Sequence, residues 1–372
     1  MIDEIRLKDK LSLKSWIEER TDSEIKNITL ERQILAFYLL EKLIETNVEF
    51  IFKGGTALIL LLEEAKRFST DIDILISRPS LSKLEELFNS FVNEEKVFFR
   101  YEKDDRVDSK FPKAHFKFFF NSIYKNEDQD GYILLDAVFE ENPYLNLDTR
   151  IIRGQILPTI DPYLEVNLPS ITDIMIDKLT AFAPNTIGVR FERLSTGDVR
   201  NRDHSREVIK QWFDINELYQ ECRNFDNLQT RYLKLSKFEI EHRDLKINYI
   251  DCLKDTLDIV VNYLSKGIRN PDSYLKIEKG IRRLNSFVNI EVNRGYFISA
   301  SVNIIELISK ILCEDDLEYQ RKAISSKEDL PYDEFLRTKN LKKIVELVKV
   351  NNKHDRDRCV VALRVINEYI EI

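Results

Sequence analysis

The chain has 372 residues, 43% of them hydrophobic and 33% charged, with only nine glycines and nine prolines. That composition excludes a disordered or collagen-like chain and favours a helix-rich globular protein of two or more domains over a β-sandwich. A formal net charge of −8 excludes a protein that coats nucleic acid indiscriminately, while leaving room for a local basic groove.

Cys222, Cys252, Cys313 and Cys359 are widely spaced and form no CxxC pair, so the expectation is reduced thiols in a cytoplasmic protein. The N-terminal stretch MIDEIRLKDKLSLKSW is too charged for a signal peptide, and no apolar run reads as long enough to span a bilayer. In chain order, residues 29–46 place Ile34, Phe37, Leu40 and Ile44 at helical spacing. Residues 48–52 read as a short strand, 56–66 as a helix, 71–76 as a strand and 81–92 as an amphipathic helix. Between 97 and 139 the stretches VFFRYE, AHFKFFF and YILLDAVF are rich in aromatic and β-branched residues, as strands are. Further short strands are expected within 150–157 and 163–166.

Beyond Ser170 the pattern turns helical. NYIDCLKDTLDIVVNYL puts Ile250, Leu253, Leu257, Val260 and Leu264 on one stripe, and SASVNIIELISKIL and KNLKKIVELVKV repeat it. The expected architecture is α+β: a mixed-sheet lobe over residues 1–170, then a helical lobe over 171–372.

The stretch GGTALILLLEEAKRFSTDIDILI holds the chemistry. Asp71 and Asp73 are two residues apart, so on a strand both carboxylates project from one face, with Cα atoms roughly 6–7 Å apart. Like charges on a largely buried strand repel and resist desolvation, which points to a compensating cation. Such a pair can grip one divalent ion or bracket two ions about 3.5–4 Å apart, and Mg²⁺ prefers oxygen ligands shared with phosphate. Gly54-Gly55 precedes a helix, where a turn without side chains admits phosphate to backbone N–H groups, and Thr56 adds a hydroxyl. The bland alternative is a capping aspartate, an exposed aspartate and an ordinary turn; the strand–turn–helix context favours the functional reading. Asp136, a single acid inside YILLDAVF, is the candidate third carboxylate or else a strand-end residue bonded to backbone. Asp128 and Asp130 precede a turn glycine and read as loop residues.

FKGGTALILLLEEAKRFSTDIDILI resembles motif I of the AbiEii nucleotidyltransferase toxins, within the DNA polymerase β-like superfamily. DKLTAFAPNTIG and REVIKQWFDINELY are similar to that family's second and third blocks, so the likeness covers residues 28–220. It implies transfer of a nucleoside monophosphate from an NTP to an acceptor hydroxyl, with two Mg²⁺ (or Mn²⁺) ions, and a cognate antitoxin from an abortive-infection system active against phage. Relatives that modify tRNA acceptor ends make tRNA the preferred acceptor. On this chain the resemblance gives metal to Asp71 and Asp73 and triphosphate to Gly54, Gly55, Thr56 and Ser69. Lys178 stands in the second block, and Lys210 and Asp214 in the third.

Read by themselves, the helix ITDIMIDKLTAF surrounds Lys178 with apolar residues, from which the ammonium either meets phosphate charge or snorkels to solvent. Lys210 and Asp214 share one helix face, either as site residues or as a surface pair. Between them NTIGVRFERLSTGDVRNRDHSR reads as a loop whose Arg190, Arg193, Arg200, Arg202 and Arg206 suit RNA or triphosphate, or simple solvation beside Glu192, Asp198 and Asp203. Arg282 and Arg283 are the helical-lobe counterparts. His115 and His204 lack partners at metal-ligand spacing and read as ordinary. The competing functions are nucleotidylation of a small molecule or protein, and a non-catalytic nucleotide-binding module.

Overall fold

The computed structural model describes residues 1–93, 96–104, 113–124, 130–193, 202–313 and 353–369. The helix expected over 339–350, Asp128 and Arg200 lie outside the described residues. Two compact units emerge: Met1–Ser170 with Ser286–Ile290, and Ile171–Asn285 with Glu291–Ile372.

The first unit opens with α1 (Glu4–Lys8), α2 (Lys10–Glu18) and α3 (Glu24–Glu45). Asp3 and Asp9 cap α1 and α2, their carboxylates accepting from backbone N–H groups of the first turns. Leu30, Ile34, Ala36, Phe37, Leu39, Leu40 and Leu43 of α3 are all fully buried. Each large side chain among them contributes about 1.5–3 kcal/mol of burial, which makes α3 the spine of this unit.

Around α3 lie β1 (Phe50–Lys53), α4 (Gly54–Leu61), β2 (Ile72–Ile76), α5 (Arg78–Phe91), β3 (Arg100–Asp104), β4 (Lys113–Phe120) and β5 (Gly131–Val138). They build a five-stranded sheet in the order β1-β2-β5-β4-β3. Only β2 and β5 run parallel; the other neighbours are antiparallel. On β5 buried and less buried residues alternate, so one face packs inward and the other carries polar groups. Phe88 of α5 meets Phe116 and Phe118 edge-on, at centroid distances of 4.9 and 5.1 Å. β6 (Leu147–Ile151) and β7 (Glu165–Pro169) form a separate antiparallel pair.

The helix expected over 56–66 stops at Leu61. Its EEAK continuation has good helix propensity, yet residues 66–68 pair with a returning segment instead. Phe68 donates its N–H to the Phe287 carbonyl (3.0 Å), and Asn289 donates to the Lys66 carbonyl (2.8 Å). This excursion places Ser286–Ile290 in the first unit, and a contiguous division of the chain misses it.

The second unit comprises α6 (Ile171–Ala181), β8 (Glu192–Arg193), β9 (Arg202–Asp203), α7 (Ser205–Glu221), α8 (Leu228–His242), α9 (Tyr249–Leu264), α10 (Pro271–Leu284), α11 (Arg294–Leu312) and α12 (Lys353–Tyr369). Trp212 of α7 centres its core, touching the rings of Phe182, Tyr263 and Phe297. Contrary to the reading that no apolar run is long enough, α11 has the length and hydropathy of a membrane span. It is mostly buried against its neighbours, which accounts for that composition as a core helix. All four cysteines are buried and unbridged.

Candidate active site

Strand register assembles the first part of the site. Lys53 of β1 pairs with Asp73 of β2, Asp73 with Asp136 of β5, and Asp136 with His115 of β4. Partners directly opposite share a sheet face, so the four form one polar row across the sheet. Their neighbours Phe52, Ile72, Ile74, Leu135, Ala137, Ala114 and Phe116 fill the opposite, buried face. His115 Nδ1 lies 2.6 Å from Asp136 Oδ1, so the histidine read as ordinary is a partner of the third carboxylate. Asp71 stands just ahead of β2, with its side chain 47% exposed and Arg32 Nη2 4.0 Å from its Oδ1. Part of the charge that the paired aspartates need is therefore supplied by the protein itself.

The glycine pair meets this row at close quarters. Gly54 adopts φ +79°, and a Cβ there would stand 2.0 Å from Asp73 Oδ2, so the turn needs glycine for its backbone and for the carboxylate beside it. A Cβ on Gly55 would meet Arg67 Nη2 at 2.5 Å and Ser69 Oγ at 3.1 Å. Thr56 is fully buried, and its hydroxyl bonds to Ser69 Oγ (2.9 Å) and to the Asp71 carbonyl. That hydroxyl ties the turn to the aspartate segment. The Ser69 N–H donates to Gln33 Oε1 of α3 at 3.0 Å, which anchors the same segment to the spine.

Among the described residues, no three acidic, histidine or cysteine side chains converge as a ready-made metal cluster. The donors nonetheless fit a hard cation. Asp73 and Asp136 are register neighbours, Asp71 flanks them, and all offer oxygen. Mg²⁺ needs only one or two carboxylates when phosphate and water complete its shell.

The second unit holds a different constellation. Lys178 Nζ on α6 lies 3.3 Å from Asp214 Oδ2 on α7, with side chains only 8% and 1% exposed. Neither is a snorkelling or surface group. Lys210 instead bonds Glu207 at 2.9 Å, because Asp214 turns inward while Lys210 stays half-exposed. Burial opposes the ionisation of Glu207, but Lys210 and Arg206 outweigh it and hold that carboxyl down at about 2. Near Asp214, Tyr296 donates to Glu217 Oε1 at 2.6 Å. Burial, with Glu217 and Asp214 nearby, pushes its hydroxyl far above the usual range.

The arginine stretch is a hairpin at its base rather than a loop throughout, since Glu192 pairs with Asp203 and Arg193 with Arg202 in backbone register. Arg190 is exposed, while Arg206 bonds Glu207 at 2.7 Å. Lys279 and Arg283 of α10 both reach Asp203, at 2.6 and 2.5 Å, and Arg282 is exposed. Much of this basic charge is internally matched.

Four residues of the first unit escaped sequence reasoning: Arg32, Lys53, Arg67 and His115. Lys53 and Arg67 sit inside the motif as charged letters beside the glycines and Ser69, a signal that local pattern could have supplied. Arg32 and His115 arrive only through tertiary packing. With this geometry in place, the family model for Nucleotidyl transferase AbiEii toxin, Type IV TA system, matches residues 39–284. No curated protein matches the chain.

Proposed function

The chain belongs to the AbiEii family of nucleotidyltransferase toxins, and on that premise we propose that it transfers NMP from an NTP to an RNA acceptor, the tRNA 3′ end. Such a modification would block translation or growth, in keeping with phage defence in the cytoplasm and with neutralisation by an antitoxin. The observation that carries this reading is the adjacency of Asp73 and Asp136 in register, beside a glycine turn that leaves room for the Asp73 carboxylate.

Asp71, Asp73 and Asp136 would hold Mg²⁺ or Mn²⁺, which when bound activates the acceptor hydroxyl and offsets charge on departing pyrophosphate. Backbone N–H groups at Gly54, Gly55 and Thr56, with the Ser69 hydroxyl, receive the triphosphate at the start of α4. Asp136 accepts the proton of the attacking hydroxyl, and its bond to His115 fixes the carboxylate that does so. Lys178, Lys210 and Asp214, in the stretches similar to the family's second and third blocks, are assigned roles in the reaction on the strength of that likeness. Lys178 acts as a cation for phosphate charge, already oriented by Asp214. Arg190, Arg193, Arg200, Arg202 and Arg206 are assigned to the RNA backbone.

The test is incubation with each α-³²P-labelled NTP, Mg²⁺ and total RNA. Label on tRNA supports the proposal. Label on protein or a small molecule replaces the acceptor, and absence of any label leaves a nucleotide-binding module.

A further inference from the structure

Arg67 is 6% exposed, an unusual place for a guanidinium, since withdrawing a charge from water costs several kcal/mol unless partners compensate. Its position is fixed from both sides of the backbone. The Lys66 carbonyl accepts from Asn289 and the Phe68 N–H bonds the Phe287 carbonyl, while Val288, the bridge partner of Arg67, is 1% exposed. Nη1 donates to the Phe68 carbonyl at 2.9 Å. The other end of the fork, Nη2, occupies the space that a Cβ on Gly55 would take, beside Ser69 Oγ. Gly55 has an unremarkable backbone, so what it provides is room for this guanidinium.

We infer that Arg67 is a polyphosphate-binding residue, its fork seated against Gly55 so as to receive the β- and γ-phosphate oxygens of the nucleotide donor. The planar guanidinium matches phosphate oxygens two at a time, and the start of α4 adds backbone N–H groups favourable to anions. The rival role is an internal counter-charge for the neighbouring carboxylates. This assignment rests on the donor site proposed above.

The experiment titrates the full-length protein with Mg²⁺-tripolyphosphate, which carries no base and so does not depend on which NTP is used, and records melting temperature alongside. Arg67→Gln is expected to weaken binding about 10- to 100-fold, the worth of charge-assisted hydrogen bonds. Arg67→Lys, which keeps the charge without the fork, is expected to lose about tenfold. Gly55→Ala pushes on Arg67 Nη2 and, more lightly, on Ser69 Oγ, so it should lose affinity as Arg67→Gln does, its melting temperature showing what the displacement costs the fold. Binding within about twofold of wild type in Arg67→Gln overturns the assignment. Should that variant unfold, the same result in Arg67→Lys and Gly55→Ala overturns it. Transfer that survives Asp71→Asn overturns the donor site itself, whereas transfer lost in Asp71→Asn with unaltered tripolyphosphate binding in the Arg67 variants overturns Arg67 alone.

Discussion

The two units carry the same kinds of charged side chain in opposite states. In the first unit, Asp71, just ahead of β2, and Asp136 on β5 keep 47% and 26% of their side chains exposed, with Asp73 close to both. Between α6 and α7, Lys178 and Asp214 are almost wholly enclosed and paired with each other. Partly exposed neighbouring carboxylates stay open to a cation from solution, whereas an enclosed pair is closed to one. Neutralising a carboxylate of the sheet should therefore cost activity, and neutralising one member of the enclosed pair should cost folding.

Asp73→Asn breaks the first half of that contrast. Loss of a metal-holding carboxylate removes several kcal/mol of transition-state stabilisation, so transfer should fall by about 10³-fold or more. The melting temperature should hold or rise, because a like charge is gone. A variant with wild-type turnover would break the contrast at its stronger end.

Lys178→Met tests the second half. Leaving Asp214 buried without its partner should cost about 3–5 kcal/mol in denaturant unfolding, and the double variant Lys178→Met/Asp214→Leu should recover most of it. Transfer should stay low in both. A single variant as stable as wild type would mean the pair is no more committed than the sheet carboxylates.

Glu207→Gln sharpens the boundary between the two states, since this group is half-buried and doubly paired. A folded-state carboxyl held below its unfolded value of 4.5 adds stability above that value, lost as pH falls toward about 2. Discounted for solvent screening, the contribution is about 1 kcal/mol. The variant should be that much less stable at pH 7 and should converge with wild type near pH 2 in urea titrations; parallel curves throughout would dismiss the linkage.

The smallest effects belong to exposed cations. Arg190→Ala and Arg282→Ala should leave stability within about 0.5 kcal/mol. For every phosphate that such a variant no longer neutralises, the log–log salt slope of RNA binding should fall by about 0.7–0.9. Arg283→Ala, whose guanidinium is engaged by Asp203, should change that slope less.

Much of this was readable from local pattern. The spacing of Ile34, Phe37 and Leu40 announces α3, the aromatic and β-branched residues of YILLDAVF announce β5, and the glycines and aspartates announce the motif. What local pattern lacks is pairing between distant segments. Register alone brings Lys53, Asp73, Asp136 and His115 into one row, and no spacing rule reaches from His115 to Asp136. Helical spacing joined Lys210 to Asp214 on one face, but packing turned Asp214 inward to a lysine on another helix. The end of α4 was misplaced for the same reason: propensity spoke for EEAK, and a strand-like partner from residues 287–289 overruled it.

That partner sets a schedule. The segment bearing Arg67 obtains its backbone bonds from residues that leave the ribosome only after α6 through α10 have been made. Closing so long a loop adds little entropy beyond a shorter one, because the cost grows only logarithmically, but it cannot happen before the chain exists. A nascent polypeptide that has delivered the whole sheet, the glycine turn and every motif aspartate still lacks the brace behind its arginine. The surroundings of Arg67 are completed late in synthesis.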